Sequence, residues 1–256
     1  MSNQRDREKR REERLAEEAK AVSGDRRTRL LQLAAGGVFL AIIVVVVVII
    51  VAGSGGGSGG DASNLVEKQQ VEKLFSGIPQ NAVVLGKPTA PVKLIEYGDL
   101  QCPVCKEYSE EILPPIFENQ VKNGETSIAF RNFIIIGPQS VPAGEAALAA
   151  GAQGKGWTFI ETWYRNQGEE NSGYATEDFI ESMGKYVGIP NMAQWNKERK
   201  SGKYKKQVEE TTAQAGKFGF TGTPSFAIEG PNSNGVELLG TPGSTEAIEE
   251  AIKKAS

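Results

Sequence analysis

Glu96-Tyr97-Gly98-Asp99-Leu100-Gln101-Cys102-Pro103-Val104-Cys105 is the stretch on which the fold turns. It begins inside Val92 to Tyr97, a short β-rich run preceded by Pro88 and Pro91, the pattern of a buried strand. A helical pattern follows over roughly 103–122, interrupted by Pro114 and Pro115, which should kink it. The two cysteines thus stand where a strand hands over to a helix. A spacing of three residues puts their side chains on neighbouring helix faces, close enough for the sulfurs to bond. Free backbone N–H groups and the helix dipole at a first turn favour an anion there. Pro103 suits the first helical position, where no N–H is needed. A thiolate at Cys102 is therefore favoured, which makes it both an attacking nucleophile and a good leaving group. Cys105, one turn deeper, would be the resolving thiol.

The rest of the composition narrows what this pair can do. The chain has two cysteines and no histidine, which removes Ser-His-Asp and Cys-His catalysis and the commonest metal ligand. A disulfide closing so short a loop constrains little of the unfolded chain, so a disulfide scaffold is excluded. Zinc needs four ligands, which only two subunits contributing two cysteines each could supply. Two incidental buried cysteines are the remaining alternative to redox chemistry. A net charge of −3 gives no reason to expect nucleic acid as a partner. No cofactor motif or phosphate loop is present.

Downstream, 127–136 reads as a second strand ended by Gly137-Pro138. From Val141 to about Gly219 the pattern is helical, with segments near 143–152, 157–166, 176–187, 192–200 and 203–218. Residues 225–229 and 236–239 read as a hairpin, and 244–254 as a closing helix. Upstream, 64–75 reads as a short amphipathic helix using Leu65, Val71, Leu74 and Phe75. A central sheet with helices on both faces packs this order most economically.

The segment from Glu96 to Cys105 resembles the active-site strand and helix of DsbA-like proteins of the thioredoxin superfamily. Thr221-Gly222-Thr223-Pro224-Ser225-Phe226 looks like that family's cis-proline loop. The resemblance covers roughly residues 80–255. It implies an α/β thioredoxin fold, a central mixed sheet flanked by helices, with a helical insertion at about 139–203 within a domain spanning 64–256. It also implies a cis Thr223-Pro224 peptide beside the cysteines, presenting the Thr223 backbone to an extended substrate segment. An ordinary loop proline before a strand is the alternative. Glu96 corresponds in the resemblance to a buried acid beneath the disulfide that relays a proton to or from Cys105. Alternation puts it on the face of Val92 and Leu94, which favours burial, although a strand-end carboxylate can also face water. The family's strongly oxidising members carry Pro-His between the cysteines. Here Pro103 and Val104 occupy those tuning positions, which implies a milder oxidant.

Further outward lies an N-terminal region of different character. Residues 1–29 are dense in Arg and Glu, with Arg26, Arg27 and Arg29 directly before an apolar run from Leu30 to Ala52 whose one polar side chain is Gln32. About 20 such residues at ~1.5 Å each span a bilayer. The run exceeds the ~7–15 apolar residues of a signal peptide, although Val51-Ala52-Gly53-Ser54 offers small residues for cleavage. An uncleaved anchor is expected, with 1–29 cytoplasmic, the domain extracytoplasmic and 53–63 a flexible Gly/Ser linker.

These features together predict a single-pass, membrane-anchored thiol–disulfide oxidoreductase. Its expected role is to donate disulfides to exported protein thiols, recharged by a quinone-linked membrane partner as the resemblance implies. A reductase or isomerase running the other way, and a non-redox binding or chaperone module, are the competing functions. Trp157, Phe159, Trp163 and Tyr164 read as core residues of the insertion. Lys197, Lys200, Lys203, Lys205 and Lys206 read as a solvated basic face, with docking to a membrane surface as the lesser alternative.

Overall fold

Strand β3 (Val92–Gly98) lies inside the sheet, and its alternation buries both of its faces in turn. Val92, Leu94 and Glu96 point to one side, and Ile95 and Tyr97 to the other. The computed structural model describes residues 63–256. The charged segment 1–29, the apolar run 30–52 and the Gly/Ser linker up to residue 62 lie outside the described residues. Among the described residues no helix is long and apolar enough to cross a membrane.

The sheet has six strands in the order β1 (Gln80–Asn81), β2 (Val84–Leu85), β4 (Thr126–Asn132), β3, β5 (Ser225–Glu229), β6 (Glu237–Gly240). β3 and β4 run parallel, and every other pairing is antiparallel. The parallel pair needs a crossover, supplied by the helical run α2 over residues 103–121. Pro114 and Pro115 cannot donate to the helical ladder. The expected kink is spread instead over two widened π-helical turns, Tyr108–Ile112 and Phe117–Val121, on either side of Leu113–Ile116. Both flanking turns lie within one continuous helical run.

Between β4 and β5 the chain makes α3 (Ser140–Gly151), α4 (Gly156–Arg165), α5 (Glu177–Val187), α6 (Met192–Lys200) and α7 (Lys205–Lys217), and α8 (Thr245–Ala255) closes the chain. A short α1 (Lys68–Leu74) precedes the sheet. The larger core joins Val92, Leu94, Ile128, Phe130 and Phe226 to Ile116, Phe117, Ile248 and Ile252 and runs on into the insertion. On the opposite face a smaller cluster gathers Tyr97, Phe133, Ala215 and Ala227, with Phe218 and Phe220 packed against it.

The insertion helices are held by aromatic packing, as their sequence suggested. Trp157, Phe159, Trp163 and Tyr164 are all buried, and each indole N–H finds a carbonyl, Trp157 on Val83 at 3.0 Å and Trp163 on Leu100 at 2.7 Å. Gly184 of α5 permits a close approach to Trp195 of α6. A Cβ there would lie 2.6 Å from the indole ring.

Two expected elements differ, and two short strands were not expected. The strand expected over 127–136 stops at Asn132, because the Ile135 and Ile136 amides turn to the Asp99 carboxylate, both at 3.0 Å. The helix expected from residue 64 starts at Lys68, since Asn166 takes both backbone groups of Val66 and keeps them out of the helical ladder. The two-residue strands β1 and β2 carry too little pattern to be read from sequence. The lysine face is largely neutralised: Lys200 pairs with Glu177, Lys203 with Glu198, Lys205 with Glu209 and Lys206 with Glu210.

Candidate active site

Three elements deliver the site. β3 ends at Gly98, the loop 99–102 turns the chain, and Cys102 caps the first turn of α2 in an extended conformation (φ −76°, ψ 120°), with Pro103 at the first helical position. Asp99 shapes the loop by accepting the Gln101 amide at 2.9 Å, while the Asp99 carbonyl accepts from the Cys102 amide at 2.9 Å. β5 pairs antiparallel with β3, Tyr97 opposite Ser225. Residues 223–224, just before β5, are thereby carried to the end of β3 where the cysteines lie. The Thr223-Pro224 peptide is cis, as expected.

Both cysteines are free thiols in this structure and both are buried, Cys102 at 3% exposure and Cys105 at 0%. The Cys102 sulfur accepts the Cys105 amide at 3.4 Å and lies 3.3 Å from the Thr223 carbonyl oxygen. Its pKa falls to about 6, chiefly because the Cys105 thiol donates to it. Burial works against this, and the Thr223 side chain and the amides of Cys105 and Val104 assist it. Cys105 is driven the other way, well above its ordinary value, by burial and by the charges of Cys102 and Glu96. Two thiols three residues apart therefore differ sharply in acidity, the asymmetry that thiol–disulfide exchange requires.

Residues 79–254 match the family described as thioredoxin. The probable disulfide bond formation protein D of Bacillus cereus is 31% identical over 172 residues, covering 66% of this chain and 78% of that protein. The crystal structure of oxidised BdbD from Bacillus subtilis shares the fold with a TM-score of 0.61 at 23% identity, covering 70% of this chain and 96% of that one. A thioredoxin-like oxidoreductase from Silicibacter pomeroyi DSS-3 gives 0.56 at 26% identity, covering 72% and 96%. The chain belongs to the DsbA-like thiol–disulfide oxidoreductases of the thioredoxin family.

In this DsbA-like site Glu96 is a buried carboxylate of β3, six positions before Cys102. It is 1% exposed, and among the described residues neither carboxylate oxygen has a hydrogen-bond partner. Burial above all, then the charges of Glu161 and Cys102, push its pKa up to about 8. Gly98 leaves the room this requires. A Cβ there would lie 2.6 Å from the Phe130 ring, 3.1 Å from the Tyr164 hydroxyl and 3.2 Å from Glu96 Oε1. At the rim Val104 is 43% exposed beside the buried Cys102, an apolar side chain facing solvent at the mouth of the site.

The insertion contributes groups that the sequence did not flag as part of the site, Trp163 and Tyr164 having been read as core alone. Gln167 donates to the carbonyls of Leu100 at 2.9 Å and Cys102 at 3.1 Å, and the Tyr164 hydroxyl donates to the Asp99 carbonyl at 3.3 Å. With Trp163 and Tyr174 on the Leu100 carbonyl, these clamp the 99–102 loop. Glu161, also 1% exposed, adds a second buried carboxylate. One signal was available: Glu161 and Arg165 stand at i, i+4 spacing on an otherwise uncharged helix.

Proposed function

We propose that this protein donates disulfides to exported protein thiols through Cys102 and Cys105, as an extracytoplasmic domain tethered by residues 30–52. The opposed acidities of the two sulfurs carry this reading. In the oxidised form a substrate thiolate attacks the Cys102 sulfur. The Cys102–Cys105 bond breaks and its electron pair leaves on Cys105, which takes the Glu96 proton to become a thiol. A second substrate thiolate then attacks the substrate sulfur of the mixed disulfide, and Cys102 departs as the thiolate that its surroundings favour. The substrate loses two electrons and two thiol protons; the protein gains the two electrons and one proton, and solvent restores the proton of Glu96. Thr223 and Pro224, beside the reacting sulfur, present the Thr223 backbone to an extended substrate segment.

The names of the relatives support disulfide formation, and the apolar run 30–52 behind three arginines supports the anchor. A quinone-linked membrane partner is the proposed source of oxidising equivalents. Val104, in place of a polarising residue, favours a second reading in which electrons flow outward and the site acts as a reductase or isomerase. A full-length Cys105→Ser variant tests the proposal, since the mixed disulfide at Cys102 is then not resolved internally. Exported, cysteine-containing proteins should be found attached to Cys102; an absence of adducts would rule out the proposal. The redox state in the cell separates donor from reductase, disulfide for the first and dithiol for the second.

A further inference from the structure

Glu96 does its work only if it holds a proton when Cys105 becomes a thiolate, and something must keep that proton in place at neutral pH. Burial contributes most. The largest charge acting on Glu96 comes not from the cysteines but from Glu161, on α4 of the insertion. Glu161 is as buried as Glu96, yet it has what Glu96 lacks: Arg165 Nη2 donates to its Oε1 at 2.9 Å. Arg165 is 13% exposed and reaches outward with Nη1 to Glu67 at 3.0 Å, which is 40% exposed. An ion-paired row thus runs from the domain edge inward and ends on a buried carboxylate of α4, the helix whose Tyr164 hydroxyl shares the space at Gly98 with Glu96 Oε1.

The surroundings of the two carboxyl groups are otherwise complete. Cys102, Cys105 and the Tyr164 hydroxyl share the field of Glu96. Arg165, the Ser109 hydroxyl and Glu110 act on Glu161, with Lys106, Glu67 and Glu111 acting on Glu110 behind them. Among the described residues no lysine or arginine pairs with Glu96.

We propose that Glu161 is a positioning residue for thiol–disulfide exchange: its charge, held in place by Arg165 and Glu67, keeps Glu96 protonated and so supplied with the proton that Cys105 takes. The step it controls is Glu96 carboxyl plus Cys105 thiolate giving Glu96 carboxylate plus Cys105 thiol, and its reverse on reoxidation. Without the charge, Glu96 ionises at lower pH, and a smaller share of the protein carries its proton when the Cys102–Cys105 bond opens. A role confined to neutralising Arg165 would not act on Glu96 at all. The proposal rests on the redox function above.

The full-length protein, carrying glutathione in mixed disulfide on Cys102, provides the test. Release of glutathione by Cys105 requires transfer of the Cys105 proton to the Glu96 carboxylate, so its rate should rise with pH through the titration of Glu96. Glu161→Gln should move that midpoint down by about half a pH unit or more, because a neighbouring like charge is removed. Glu161→Asp, which keeps the charge, should stay near the wild-type midpoint, and Glu161→Met offers a second neutral side chain if Gln lowers the folded yield. In a Glu96→Gln background, Glu161→Gln should shift nothing further. An unchanged midpoint in Glu161→Gln, or an equal shift in both backgrounds, would overturn the proposal while leaving the redox function standing. Failure of the wild-type protein to release glutathione at any pH would overturn both.

Discussion

The Cys102 sulfur lies 3.3 Å from the carbonyl oxygen of Thr223, a residue 121 positions later in the chain. This contact joins the end of the β3–α2 turn to the start of β5, and it places the Thr223 backbone at the reacting atom. The Thr223 hydroxyl is buried and makes no hydrogen bond of ordinary geometry among the described residues, yet it stands close enough to the Cys102 thiol to help hold it acidic. Titration of the reduced protein by thiolate absorbance should therefore show a first midpoint near pH 6. Thr223→Val, which removes the hydroxyl and keeps the shape, should move that midpoint upward. A wild-type midpoint near 9, the ordinary thiol value, would mean that the first-turn hydrogen bonds do not reach the sulfur.

Glu96 should also leave a mark on stability. Its pKa is about 8 in the fold against 4.5 for an unperturbed carboxyl. The folded state holds the proton more tightly, so the contribution is complete below about pH 4.5 and is lost as pH rises towards 8. The oxidised protein, in which Cys102 cannot titrate, should therefore lose stability steadily across that window. The loss should reach a few kcal/mol, because each pH unit between the two values is worth ~1.4 kcal/mol. Denaturant unfolding of Glu96→Gln should show a shallower slope rather than a flat one, because Glu161 is raised to about 7 and acts in the same direction. Identical slopes in the two proteins would place Glu96 in water.

Val104 should set the oxidising strength. It is exposed at the first turn of α2, and it supplies the sulfur with a backbone amide but no side-chain charge. The reduction potential should be more negative than the ~−120 mV of the strongest oxidants. Val104→His should raise the potential and lower the Cys102 pKa together, since both measure stabilisation of the same thiolate. Equilibration with glutathione measures the first, and a rise in one quantity without a fall in the other would separate them.

Much of this site was legible because its parts are local. Cys102, Pro103 and Cys105 declare a helix start, and β3 declares its buried face, Glu96 included, by alternation. Thr223 and Pro224 were legible through resemblance to a known loop, since a Thr-Pro dipeptide before a strand is by itself uninformative. The groups that packing alone brings in were not: Gln167 and Tyr164 reach the 99–102 loop from 65 or more positions away. Asp99 was visible in the motif, but not that its carboxylate would end β4 by capturing the amides of Ile135 and Ile136. The same limit explains α1, whose start is fixed by Asn166, 100 positions downstream of Val66.

The insertion should tolerate little change where α5 meets α6. Gly184→Ala would drive a methyl group to 2.6 Å from Trp195, whose N–H is fixed on the Ala146 carbonyl at 3.0 Å and so cannot retreat freely. Overpacking of this kind costs ~1–3 kcal/mol, against the 0.5–1 kcal/mol or so that replacing a helical glycine by alanine returns. Thermal unfolding should show a midpoint lower by a few degrees. An unchanged or higher midpoint would mean that α5 and α6 are not packed this closely.

Disulfide transfer by thiol count tests the redox role most directly. The oxidised full-length protein is mixed with an excess of an unfolded, reduced protein that carries two cysteines, and the free thiols of both are counted after acid quenching. The expected result is two thiols lost from the substrate for every two that appear at Cys102 and Cys105, with Cys102→Ser transferring none. Substrate thiols that remain intact while Cys102 and Cys105 stay bonded would contradict a disulfide donor.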